Sequence, residues 1–61
     1  MGDRENLIQA LKYEETILRY YQNYARQTKS RDLRKMFQAF AEEQRQHLIR
    51  IRSLLNEGCR P

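Results

Sequence analysis

Sixty-one residues make one small domain, and two helices of this length share only one groove, so such a chain relies on a staple or on association to bury a core. A lone cysteine, Cys59, excludes an intrachain disulfide and a cysteine-built metal site, and is expected to be a free thiol in a reducing compartment. No apolar run approaches the ~20 residues of a membrane-spanning helix, so neither a membrane span nor a signal peptide is expected, and a soluble cytoplasmic protein is the default.

Helix 1 is predicted over about residues 3–28, with Asp3 as its N-cap and Glu5 in the first turn, where the helix dipole favours an acid. It contains no Gly or Pro. Leu7, Leu11, Glu14, Leu18, Tyr21, Ala25 and Thr28 follow steps of four and three along it, the spacing of a seam that faces a bundle core. Ile8, Ala10, Ile17 and Tyr24 widen that seam. Tyr13, Tyr20, Tyr21 and Tyr24 read as bundle packing with hydroxyls at the rim.

The turn is predicted at about residues 28–31, where Ser30 can cap the next helix and Asp32 falls in its first turn. Five of the twelve Lys and Arg residues gather here: Arg26, Lys29, Arg31, Arg34 and Lys35. Against eight acids they contribute to a formal net charge of +4 and give the molecule a basic end. Such an end can hold phosphates of RNA or DNA, which makes a small nucleic-acid-binding hairpin dimer an alternative reading. The commoner meaning is a solvated helix end, and charges gathered at a tip suit nucleic acid less than charges along a face, so nucleic acid is an unlikely partner.

Helix 2 is predicted over about residues 31–57, with Gly58 as a C′ residue and Pro61 beyond it. Leu33, Phe37, Phe40, Gln44, His47, Ile51 and Leu54 repeat the four-three spacing, flanked by Met36, Ala41, Leu48 and Leu55. A connection this short makes the helices antiparallel neighbours. The apolar faces are wider than a two-stranded coiled coil needs, so the expected fold is all-α: an antiparallel two-helix hairpin that pairs with itself, about a twofold axis, into a homodimeric four-helix bundle. The partner expected is a second copy of the chain, and no membrane is expected.

Three polar residues interrupt the seams. Folding the chain back at the turn sets Glu14 level with the gap between Gln44 and His47, near the middle of both helices. Groups like these, placed in a core, need one another, a water or a metal. A heptad-core Gln or His can also simply fix register and oligomer state, which is the structural or regulatory alternative without metal. No nucleophile, Gly-rich loop or cleft accompanies His47, so no catalytic residue is assigned and enzyme activity is not expected.

The stretch Ala10-Leu11-Lys12-Tyr13-Glu14 with Tyr21 seven residues on, then Asp32-Leu33-Arg34-Lys35-Met36-Phe37 and Ala41-Glu42-Glu43-Gln44-Arg45-Gln46-His47, resembles the helix pair of rubrerythrin-type ferritin-like proteins. The resemblance covers most of the chain as one half of the usual four-helix domain. It implies a bundle-core metal site in which each helix pair supplies a Glu from its first helix and a Glu-x-x-His from its second. Glu14 matches the first-helix Glu, His47 the His, and Tyr21 a tyrosine behind the ligands. Gln44 stands where the family has its bridging Glu, and an amide is a weaker, neutral ligand for a hard cation. Glu43 is adjacent but on a flank. Two copies would bring two carboxylates and two imidazoles, which suits one tetrahedral Zn²⁺ or a similar ion better than a di-iron pair. A divalent metal, Fe or Zn, is therefore the cofactor the resemblance implies, with Glu14, His47 and Gln44 as its ligands.

Overall fold

A computed structural model describes residues 2–58, so Cys59 and Pro61 lie outside the described residues. It contains two helices, α1 (Asp3–Gln27) and α2 (Arg31–Gly58), and no strand among the described residues. Gly58 is still helical, so the helix stop expected there falls at the edge of the described chain.

The N-cap of α1 is Gly2, one residue before the expected Asp3. Glycine has no side chain to offer the orphan amides of the first turn. The Glu5 carboxylate instead reaches back and accepts the Gly2 backbone N–H at 3.3 Å. At the other end Thr28 leaves the helix in extended conformation, its N–H still bonded to the Tyr24 carbonyl at 3.0 Å. Ser30 caps α2: its Oγ accepts the Leu33 N–H at 3.2 Å.

The turn is closed by a residue whose role the sequence does not reveal. The Arg34 guanidinium donates from Nε to the Ala25 carbonyl at 2.9 Å and from a terminal nitrogen to the Thr28 carbonyl at 2.6 Å. Carbonyls at a helix C-terminus lack intrahelical donors and carry partial negative charge, so a forked cation satisfies both needs at once. We expect Arg34→Ala to lower stability by about 1 kcal/mol in a denaturant melt. Arg34→Lys is expected to recover only part of that, because an ammonium lacks the fork. An unchanged midpoint in the alanine variant would assign the turn to Ser30 and Thr28 alone.

The two helices run antiparallel, and the molecule measures 49 × 17 × 11 Å. Its smallest dimension is one helix diameter. A single layer of this kind can cover a side chain from one side only. Accordingly the buried apolar set is small: Ala25 at 8 % exposure, Ala41 at 4 % and Leu48 at 4 %, with no large side chain fully buried among the described residues.

The seam of α2 sits differently from the expected one. The side chains turned towards α1 are Phe37, Ala41, Gln44, Leu48, Ile51 and Leu55, all buried or half-buried. Ala41 and Leu48, expected as flanks, are the closest packed. Leu33, Phe40, His47 and Leu54, expected in the seam, are exposed. The physical reason is size. Ala41 puts little bulk against α1, so α2 packs closely along its Ala41–Leu48 edge and turns its bulkier edge outwards.

Candidate functional site

The outward edge of α2 and the tyrosines of α1 share one face. Tyr24 packs on Phe37 with ring centroids 5.3 Å apart, and Tyr20 stacks on Tyr24 at 6.2 Å. Tyr21 lies between Phe37 and Phe40, at 6.4 and 5.4 Å. Helical spacing carries the face from Tyr24 through Tyr20 and Ile17 to Tyr13, and along α2 from Leu33 through Met36, Phe40 and His47 to Leu54. The opposite face is polar and carries cross-links of its own. Arg52 reaches Glu15 on the other helix at 3.2 Å, and Arg45 holds Glu42 at 3.1 Å. Gln22, Arg26 and Gln38 line a groove on that side, and Ile49 is its main exposed apolar residue.

Near the middle of the apolar face, Nδ1 of His47 lies 2.9 Å from Oε1 of Glu14. The hairpin thus joins two of the three sequence-predicted residues directly, across 33 positions of chain. The His47 side chain remains 52 % exposed, while Glu14 is 23 % exposed. A shallow depression of about 380 Å³ opens beside the pair, lined by Glu14, Gln46, His47, Arg50 and Ile51. Gln44 sits one turn before His47 and points into the hairpin. Its Oε1 is buried and accepts no hydrogen bond. An acceptor left without a donor in a half-buried site is costly.

The remaining expected residues are placed as follows. Tyr21 is two turns from Glu14 and acts as an aromatic wall beside Phe40. Glu43 is exposed and lies one turn from both Phe40 and His47 on the same edge of α2. Of the basic cluster, Arg34 is bound to the turn carbonyls and Arg26 donates to Asn23 at 2.6 Å. Lys29, Arg31 and Lys35 are exposed at the tip. The sequence reading set Leu48 and Ala41 at the flanks rather than at the helix contact, and it passed over the pair Glu15–Arg52. The small side chain of Ala41 was the available signal for the first two; nothing in the spacing signals the last.

A di-iron pair of the kind implied by the resemblance does not fit one hairpin. Among the described residues no group of three or more His, Cys, Asp or Glu lies close enough to hold a metal. One carboxylate and one imidazole are too few ligands for even one divalent ion, and the third group present is a neutral amide. No helix is long and apolar enough to cross a membrane among the described residues.

Comparison with known proteins agrees with the helix pattern. No curated protein and no solved structure matches the chain. Residues 5–59 match the family model described as Rubrerythrin, which takes in both helices, the turn and the Glu14–Gln44–His47 layer. By that match over nearly its whole length, the chain belongs to the rubrerythrin family.

Proposed function

We propose that two hairpins pair through the Tyr–Phe face, about a twofold axis, into a homodimeric four-helix bundle. In its core the doubled layer of Glu14, Gln44 and His47 binds a divalent metal such as Fe²⁺ or Zn²⁺. The observation that carries this reading is the Glu14–His47 pair, 2.9 Å apart and half-open on the face that bears the exposed tyrosines and Phe40. Capping that face with water leaves Leu33, Met36, Phe40 and Leu54 exposed, and burial of such side chains is worth roughly 25 cal/mol per Å². Membership in a family whose helix pairs place a Glu and a His in a bundle core supports the same reading.

The expected result is a dimer by sedimentation at micromolar concentration, with a thermal midpoint that rises with protein concentration. A helical monomer under those conditions would overturn the pairing. Elemental analysis of the purified dimer, with and without chelator, tests the metal.

A second reading is favoured by one specific observation. Glu14 and His47 satisfy each other within a single hairpin, so the layer can serve as a register device with no metal. On that reading the dimer forms equally well in chelator and its midpoint ignores added metal.

A further inference from the structure

We propose that the face opposite the tyrosines is a docking groove for one acidic amphipathic helix of a partner protein. That face is the one the proposed dimer leaves outwards, so its occupancy depends on neither the pairing nor the metal.

The floor of the groove is apolar. Two hollows of about 420 and 480 Å³ lie between α1 and α2 on this side and meet at Arg45. Ala25 and Ala41 line the first, and Leu18, Leu48 and Ile49 line the second. Ile49 is 57 % exposed, a large side chain left open to water.

The rims are cationic and regular. Arg19 and Arg26 stand seven residues apart on α1, and Arg45 and Arg52 seven apart on α2. A seven-residue step returns to nearly the same side of a helix, so each rim carries its two guanidiniums in line along the groove. All four are exposed and line the hollows. The acids on this face are Glu15 and Glu42, held by Arg52 at 3.2 Å and by Arg45 at 3.1 Å. Arg26 donates to the neutral Asn23, and Arg19 makes no ion pair among the described residues. The face therefore keeps a surplus of positive charge over an apolar floor.

An apolar floor between charged rims is the pattern by which coiled-coil helices choose partners: the seam supplies burial, and the flanking charges set register and identity. The complementary occupant carries an apolar stripe at four-three spacing with Glu or Asp on both flanks. From Gln38 to Arg52 the groove follows α2 for about 21 Å at 1.5 Å per residue, room for about four turns of a third helix. Exposed pairs such as Arg45–Glu42 and Arg52–Glu15 are worth little, so both guanidiniums can turn to an incoming carboxylate at small cost. A nucleic-acid backbone would meet the same charges but makes no use of Leu18, Leu48 and Ile49, and these favour the helix.

The probe is a fluorescent designed helix of about three heptads, with Leu in its seam and Glu on both flanks, whose like charges keep it from pairing with itself. It is titrated with the intact chain and read by anisotropy. Saturable one-to-one binding is expected, and a peptide of the same composition with a scrambled seam is expected to bind at least about tenfold more weakly. Arg19→Gln combined with Arg45→Gln is expected to weaken binding about tenfold, and Ile49→Ala by a similar factor, each with an unchanged thermal midpoint. Arg31→Gln combined with Lys35→Gln removes the same charge at the tip and is expected to leave binding within about twofold. Equal loss in the tip variant, equal binding of the scrambled peptide, or ready displacement by a single-stranded oligonucleotide would reduce the groove to a general attractor of anions and overturn the proposal. Binding that ignores Ile49 and the groove arginines overturns it too, as does no binding at all.

Discussion

Phe40→Ala is expected to cost about 3–5 kcal/mol of stability, the range for removing a buried phenyl group from a packed core. Within one hairpin Phe40 is 37 % exposed, with its ring against Tyr21, and so open a phenyl group would not support so large a loss. The full effect requires a second chain over the apolar face, so the loss is expected to appear as weakened pairing in melts run at several protein concentrations. Ile49 is the control. It is 57 % exposed on the polar face, and Ile49→Ala is expected to change stability by less than about 0.5 kcal/mol. A Phe40→Ala cost under about 1 kcal/mol would mean that the apolar face stays open in solution.

The second large effect is expected at Gln44. Gln44→Glu places a carboxylate where a buried, unpartnered amide oxygen now stands, only one turn from the Glu14–His47 pair. In the proposed dimer this adds two negative charges to one layer. Without metal the variant is expected to lose about 3–5 kcal/mol, as for an uncompensated buried charge. The loss grows with pH as the introduced carboxylates ionise. With Fe²⁺, Co²⁺ or Zn²⁺ the same charges become ligands, and the thermal midpoint is expected to rise well above its metal-free value. A midpoint that metal leaves unchanged would mean that Glu14 and His47 do not converge in the dimer, and the metal reading would fall with it.

Much of the hairpin was legible because its signals are local. Four-three spacing, Ser30 at the head of α2 and a Gly- and Pro-free α1 each depend on residues within one or two turns. The level of Glu14 against His47 followed from the rise per residue and the place of the turn. The phase of α2 was not legible to the same degree. A rotation of one seam position exchanges Phe40 and His47 for Ala41 and Leu48, and both sets keep heptad spacing. Only the packing of the small Ala41 and of Leu48 against α1, a property of two helices together, selects between them. Arg34 was misleading for a related reason. In sequence it is one more cation in a basic cluster, and only the folded turn sets its guanidinium against the Ala25 and Thr28 carbonyls. Glu14, Gln44 and His47 were legible as polar interruptions of the two seams, whereas the direct contact of Glu14 with His47 depends on the rotation of α2 about its axis.

A molecule only 11 Å thick has consequences for its supply in a cell. On the proposed pairing, folding and finding a partner are one equilibrium, so copy number enters the stability of every chain. Each tenfold fall in abundance removes about 1.4 kcal/mol of association free energy. Chains made too sparsely are left with one bare flank and are the ones proteases meet first. The amount synthesised then acts as a threshold: below it the chain is degraded as fast as it appears, and above it the surplus survives as assembled protein.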